Sequence, residues 1–168
     1  GGEWERAAGL LCFLHRHGLQ ADVITNSAAI SACQKGGQWA QAAELLGEMR
    51  LEGVEPNTAT YSASISACEK AGQWKRTVGL LHGLESAALD PGIAAYGAAM
   101  TACDVAERWA RALSLWASLG QKGLSDDSAT RGAALSACEG AGRWQQALEL
   151  VGRWLLREGE EGQEDAIL

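Results

Sequence analysis

The chain has 168 residues, of which 47% are hydrophobic and only 2 are proline. This composition fits a folded domain or repeat array and excludes a disordered chain. Lysine and arginine total 14 and the acidic residues total 21, so the net charge is −7. Five of the acidic residues lie in the segment 158–168. The rest of the chain is close to neutral, which excludes the broad basic surface of a strong nonspecific nucleic-acid binder.

The first residues do not have the pattern of a protein start. The segment from Gly1 to Trp4 has no initiator methionine and no basic-then-apolar signal sequence. We therefore expect a fragment of a longer chain that begins inside a structural unit. No apolar run approaches the roughly 18 residues of a membrane-spanning helix, so we expect no membrane partner.

Tryptophan recurs every 35 residues along the chain. Cysteine and leucine keep the same interval, which predicts a repeat protein rather than one irregular domain. The clearest series are Trp4, Trp39, Trp74, Trp109 and Trp144; Cys33, Cys68, Cys103 and Cys138; and Leu10, Leu45, Leu80, Leu115 and Leu150.

One period predicts two amphipathic helices. Small and apolar residues at three- and four-residue spacing predict a first helix over 25–35, which Gly36 and Gly37 end. A second stripe predicts a helix over 39–50, and we expect Gly53 to take the left-handed conformation that ends many helices. The first stripe consists of Ala28, Ala29, Ile30, Ala32 and Cys33, and the second of Trp39, Ala42, Ala43, Leu45, Leu46 and Met49.

A single helical hairpin cannot bury its apolar stripe, so the hairpins are expected to stack into an α-solenoid. The predicted fold is all-α with nine helices. Its units are the second helix of a truncated repeat at 1–22, repeats at 23–57, 58–92 and 93–127, a degenerate terminal repeat at 128–157 and an acidic tail at 158–168.

The 35-residue unit resembles the pentatricopeptide repeat. The segment from Ser66 to Gly72 reads Ser-Ala-Cys-Glu-Lys-Ala-Gly, and repeat 23–57 closes on Glu-Met-Arg-Leu-Glu-Gly-Val-Glu-Pro-Asn. The resemblance covers essentially the whole chain and implies a right-handed α-solenoid of helix-turn-helix hairpins. It also implies a protein that binds single-stranded RNA. No Gly-x-Ser-x-Gly, phosphate-loop or His-Glu-x-x-His motif occurs, so we expect no catalysis and no cofactor, metal or small-molecule substrate. Members act in chloroplasts or mitochondria on transcript processing, stability or editing.

In that family the fifth and last residues of a repeat read one base. Carried over to this chain, Ser27 and Asn57 match a pair that favours adenine. Each of the other pairs lacks at least one hydrogen-bonding side chain, and the candidates that remain in them are Ser62 and Asp127. These pairs are Ser62 with Gly92, Gly97 with Asp127, and Gly132 with Gly162.

Two further sets of positions follow from the resemblance. Second-position residues sandwich the base, which assigns Ile24 and Ala59 to that role. Lys35 and Lys70 occupy the thirteenth position, where the family often directs a lysine towards phosphate, but an ordinary solvated helix end is a competing interpretation. Val105 and Gly140 stand at this position later in the chain, so we expect RNA contacts to thin out towards the C-terminus.

The tryptophan and cysteine series each have a structural and a chemical interpretation. For tryptophan, packing between hairpins competes with base stacking, and the place of these residues at the start of the outer helix favours packing. For cysteine, burial is favoured over a disulfide or zinc site. No Cys-x-x-Cys pair occurs, and equivalent residues of stacked hairpins lie about 10 Å apart, beyond the about 7 Å limit for a disulfide. The histidines have no metal-ligand spacing.

A second class of function also fits the sequence, namely a helical scaffold that binds other proteins. The nearly neutral body, the weak base-reading pairs of the later repeats and the acidic tail favour that alternative.

Overall fold

The computed structural model describes residues 2–122, 124 and 127–140, together with positions 142, 145, 147 and 149. Over these residues the chain is all-α, as predicted, and contains no strand. No helix among them is long and apolar enough to cross a membrane. Of the ninth predicted helix, positions 145, 147 and 149 are described and are helical, whereas Trp144 and the tail at 158–168 lie outside the described residues. The helices are α1 (Glu3–Arg16), α2 (Val23–Lys35), α3 (Trp39–Leu51), α4 (Thr58–Lys70), α5 (Trp74–Ser86), α6 (Gly92–Val105), α7 (Trp109–Gln121) and α8 (Ser128–Gly140).

The turn after α3 has the predicted left-handed glycine. Gly53 has a φ of 74°, and the N–H of Val54 donates to the carbonyl of Met49 at 2.8 Å. The Gly53 N–H donates to the Arg50 carbonyl at 3.3 Å. These two bonds satisfy carbonyls that the last turn of a helix leaves free, and they turn the chain towards the next hairpin.

The helices form two layers, one in which successive helices pack against each other and one in which they are spread apart. Helices α2, α4, α6 and α8 each contact the next of the four, so they form a continuous layer, which we call the inner layer. Helices α3, α5 and α7 each contact the inner helices before and after them, but within the described residues their backbones do not come close to one another. Because the outer helices are spread apart and the inner ones are not, the inner layer is the concave side of the stack.

The apolar core lies between the two layers. Its largest buried side chains include Ile30, Met49, Tyr61, Leu81 and Met100. The four cysteines of the 35-residue series are fully buried and form no disulfide, which confirms the packing prediction. Burial raises the pKa of Cys33, Cys68 and Cys103, so these thiols have little nucleophilic character. Cys12, outside the series, is exposed.

The tryptophans at the start of the outer helices pack against this core, as predicted, and remain half-buried. Their outer faces carry cations of the next hairpin: the guanidinium of Arg76 lies 5.1 Å from the Trp39 ring centre and that of Arg108 lies 5.6 Å from the Trp74 ring centre. Such contacts add modestly to the apolar packing. Trp144 lies outside the described residues.

The predicted apolar stripe of α2 is wrong at one residue. Ala28 is exposed, and Asn26 is buried instead. The buried amide of Asn26 is satisfied because its Nδ2 donates to the carbonyls of Ala21 and Asp22, at 3.2 and 3.1 Å. A polar residue can therefore occupy the buried stripe of this helix next to its N-terminus.

Candidate nucleic-acid interface

The last residue of a 35-residue unit lies at the N-terminus of the next inner helix. Asp22 and Asn57 are the N-caps of α2 and α4, and Asp127 directly precedes α8. In all three, the side-chain oxygen accepts hydrogen bonds of 2.6–2.9 Å from the backbone N–H and the hydroxyl of a threonine three residues later. Short polar residues are favoured there because the first N–H groups of a helix need an acceptor. The threonines are Thr25, Thr60 and Thr130.

The structure brings the predicted base-reading residues Ser27 and Asn57 together through Thr60. The Oγ of Ser27, on α2, lies 2.7 Å from the Oγ1 of Thr60, on α4. That same hydroxyl lies 2.8 Å from the Oδ1 of Asn57. Thr60 is fully buried, Ser27 is half-buried and Asn57 is exposed. A continuous chain of hydrogen bonds therefore links two adjacent repeats at this edge of the inner layer.

The capping bonds also determine which end of the Asn57 amide is available. Its Oδ1 accepts from the Thr60 N–H at 2.9 Å and from the Thr60 hydroxyl at 2.8 Å, which uses both acceptor positions of a carbonyl oxygen. The amide orientation is assigned from this network. The exposed part of Asn57 is therefore its NH2 group, a hydrogen-bond donor.

The other predicted base-reading residues, Ser62 and Asp127, are each paired with a glycine, so no second side chain completes the pair. Ser62 is exposed on α4, but Gly92 has no side chain and a φ of 59°, and α6 has no side-chain cap. Asp127 caps α8, and the backbone N–H of Thr130, followed by its hydroxyl, lowers the pKa of the Asp127 carboxyl. Opposite Thr130 stands Gly97, where a β-carbon would lie 3.5 Å from the threonine Cγ2.

The predicted sandwiching residues lie in the first turns of the inner helices. Ile24, in α2, is 77% exposed, and Ala59, in α4, is exposed as well. An exposed isoleucine costs free energy unless something covers it. Together these positions present one large and one small apolar group beside Ser27 and Asn57.

Lys35 and Lys70 are exposed last residues of α2 and α4. A cation at this end of a helix is stabilised by the helix dipole in any case. The residue that precedes each equivalent position changes along the chain: it is Gln34 in α2, and an acid in the later inner helices. These acids are Glu69 in α4, Asp104 in α6 and Glu139 in α8.

The charge at the inner helix ends therefore falls from positive at α2, through balanced at α4, to negative at α6 and α8. The thinning of RNA contacts towards the C-terminus stays a prediction, which this change of charge favours. The sequence shows these acids at one position of the 35-residue repeat. Their effect on phosphate binding follows only from their place beside Lys35 and Lys70 at the helix ends.

Thr60 is the residue of this site that sequence reasoning missed. Its signal was a threonine three residues after each capping residue, at positions 25, 60 and 130, a recognised N-terminal capping pattern. Within the described part of the chain, no three His, Cys, Asp or Glu residues are grouped so that they could hold a metal ion.

Comparisons with known proteins show similarity in one segment of the sequence and in the fold. Residues 21–70 match the PPR repeat family, and no curated protein sequence matches the chain. The PPR domain of Arabidopsis thaliana protein-only RNase P 1, solved in complex with tRNA, superposes with a TM-score of 0.81 at 14% identity, over 90% of this chain and 80% of that one.

The pentatricopeptide repeat protein PPR10 is similar in two further structures. PPR10 from maize gives a TM-score of 0.74 at 19% identity and covers 98% of this chain. PPR10 in complex with an 18-nt psaJ RNA element gives a TM-score of 0.68 at 28% identity and covers 88%. This chain spans less than a quarter of PPR10, 23% and 22% in the two structures.

The family match lies on α2 to α4, the helices that carry Ser27, Thr60 and Asn57, and the structural likeness extends over the later hairpins. Residues 21–70 therefore match the PPR repeat family, and the 35-residue interval and stack of helical hairpins give the chain the same fold as these pentatricopeptide-repeat structures.

Proposed function

We propose that this chain binds single-stranded RNA along its inner layer, and that its strongest base contact lies at Ser27 and Asn57. The observation that carries the proposal is the hydrogen-bonded link between these residues across two repeats. It lies inside the segment that matches the family. Similar folds are solved with RNA, namely PPR10 with an 18-nt psaJ element and the PPR domain of RNase P 1 with tRNA.

The chemistry of the pair fits adenine. The exposed NH2 group of Asn57 donates to the ring nitrogen N1, and the hydroxyl oxygen of Ser27 accepts from the amino group at C6. Single-stranded RNA exposes these base edges, whereas a double helix hides them. Ile24 and Ala59 cover the faces of the same base, so that its apolar surface is removed from water.

Lys35 and Lys70 contact phosphates on either side of this base. They lie on successive inner helices, so they follow the path of a strand that crosses the layer. Phosphate contacts position the strand and base contacts specify its sequence. With two lysines and increasing negative charge beyond α4, the affinity of this segment is expected to be low.

The biological role that we propose is binding rather than catalysis. Pentatricopeptide-repeat domains are generally noncatalytic, and members of the family are generally organellar. We propose that this chain acts in a chloroplast or mitochondrion, within a longer protein that processes, stabilises or edits transcripts. Repeats 23–57 and 58–92 make the RNA contacts, while 93–127 and 128–157 extend the stack.

A protein-binding scaffold is the second candidate, and one surface favours it. A groove of about 810 Å³ lies between the outer helices α5 and α7. Trp74 and Trp109 line its apolar part, and Lys75, Arg108 and Arg111 line its rim. This surface is on the side opposite the inner layer, so binding there does not depend on Lys35 or Lys70.

Salt-dependent RNA binding distinguishes the two functions. The affinity for single-stranded RNA should fall as salt rises, and Lys35→Ala with Lys70→Ala should lower the slope of log affinity against log salt by about 0.7 per lost contact. Fluorescence anisotropy with labelled single-stranded oligonucleotides measures both quantities. Lys75→Ala, an exposed lysine on the outer helix α5, is the matched control and should leave the slope unchanged. Absence of RNA binding by the wild-type chain, or equal slopes for both lysine variants, would contradict the proposed interface.

A further inference from the structure

We propose that Thr60 is the positioning residue that sets base specificity at Ser27 and Asn57, because it fixes the direction of every hydrogen bond in that pair. The proposal rests on the RNA-binding function above. It concerns a residue that does not touch the base and belongs to the repeat after the one that reads it.

The direction of each hydrogen bond around Thr60 follows from the number of hydroxyl protons available to donate. Thr60 has one hydroxyl proton, and the Oδ1 of Asn57, 2.8 Å away, has none to give. Thr60 therefore donates to Asn57. Ser27, at 2.7 Å from the same Thr60 oxygen, must then donate its own proton to Thr60.

The result is a fixed set of groups at the groove surface. Ser27 presents lone pairs and no proton, and Asn57 presents N–H donors and no lone pair. Thr60 is fully buried, so water does not compete for its hydroxyl in the free protein. The pair is therefore ordered before RNA binds, which lowers the entropy cost of recognition.

With an acceptor fixed at Ser27 and a donor fixed at Asn57, the pair distinguishes adenine from guanine when both bases bind in the same orientation. Adenine presents an acceptor at N1 beside an amino donor at C6, whereas guanine presents a donor at N1 beside an acceptor at C6. Without the Thr60 hydroxyl, the Ser27 proton becomes free to rotate and can donate to guanine O6. Loss of the hydroxyl should therefore weaken discrimination more than it weakens binding.

The chain contains a matched control in Thr130. This threonine is also fully buried and donates the same two bonds, to Asp127. The residue opposite it is Gly97, which has no hydroxyl to orient. Replacing Thr130 removes a capping bond of the same kind at a site where no base-reading hydroxyl depends on it.

The test uses the full chain and single-stranded oligo(U) that carries one central A or one central G. In the wild type the A probe should bind more tightly. Thr60→Val should reduce the ratio of A to G affinity by about three- to tenfold, the size of one hydrogen bond, and Thr60→Ser should retain it. Thr130→Val should leave the ratio unchanged. In a Ser27→Ala background, Thr60→Val should have a smaller effect, because only the bond from Thr60 to Asn57 then remains to be lost.

Circular dichroism confirms that each variant is folded, and Thr60→Ala, which removes the same hydroxyl, replaces any Thr60→Val protein that does not fold. An unchanged A to G ratio in a folded Thr60 variant would overturn the inference, as would an equal change in Thr130→Val. A wild-type chain that does not bind, or that binds both probes equally, would instead remove the proposed function on which the inference rests.

Discussion

Two residues with a β-carbon, Ala88 and Glu107, adopt left-handed backbone conformations, with φ of 55° and 57°. Ala88 stands 35 residues after Gly53, and Glu107 stands 35 residues after Gly72. The two glycines have similar φ values of 74° and 66°. The hairpin geometry therefore imposes this conformation whether or not the residue favours it. A left-handed residue other than glycine costs roughly 1–2 kcal/mol.

We predict that Ala88→Gly stabilises the protein. Relief of backbone strain outweighs the about 0.5–1 kcal/mol by which glycine favours the unfolded chain, so the expected net gain is about 0.5–1 kcal/mol. Urea unfolding followed by circular dichroism measures the free energy of unfolding. The neighbouring Ala87 has a φ of −79°, so Ala87→Gly should destabilise by about 0.5–1 kcal/mol. A loss of stability in both variants would show that Ala88 is not strained.

At the scale of elements, adjacent hairpins are joined by polar side chains at the ends of the outer helices α3 and α5. Glu85, in the last turn of α5, accepts from the hydroxyl of Tyr96 on α6 and from Nζ of Lys122 after α7, both at 2.6 Å. In the preceding hairpin, Arg50 donates to the hydroxyl of Tyr61. Glu85 thus ties three helices together, and the Lys122 and Tyr96 bonds lower its pKa from 4.5 to about 2.

This shift predicts a pH-dependent contribution to stability. Because the pKa of Glu85 is lower in the folded chain, its contribution is complete above pH 4.5 and is lost as the pH falls towards about 2. Glu85→Gln should therefore be less stable than the wild type at pH 7, by about 1 kcal/mol given the exposure of Lys122. The difference should vanish near pH 2.

Urea unfolding at several pH values gives the comparison. Glu44→Gln removes an exposed carboxylate from α3 and should be close to wild type throughout. A Glu85→Gln deficit that is the same at pH 7 and at pH 2 would show that the carboxylate charge does not stabilise the hairpin junction.

The repeat interval predicted the elements well, because each helix must present its apolar stripe to the next hairpin. The starts of α3, α5 and α7 at Trp39, Trp74 and Trp109, and the left-handed Gly53, follow from that register. Residues whose role depends on a neighbouring repeat were harder to predict from the sequence. The bond between Ser27 and Thr60 joins positions 33 residues apart, and no spacing rule within one repeat reveals it.

At the scale of the whole molecule, the stack separates two surfaces. The continuous inner layer carries the proposed base-reading pair and the two lysines, while the spread outer helices leave a groove lined by Trp74 and Trp109. Along the inner layer, the charge at the helix ends becomes more negative from α2 to α8, and Gly92 and Gly97 remove base-reading side chains. RNA recognition is therefore expected to be concentrated on α2 and α4.

The central claim is that Asn57 reads a base through its amide donor, and Asn57→Asp tests it most directly. The variant exchanges this donor for an acceptor, and aspartate keeps the cap, since Asp22 and Asp127 already cap α2 and α8 through the same threonine bonds. The measurement is the affinity of the full chain for oligo(U) with one central A or G. The preference should move from A towards G by about tenfold, a change of roughly one hydrogen bond, with a nearly unchanged salt slope. The same preference for A in both proteins would contradict the account.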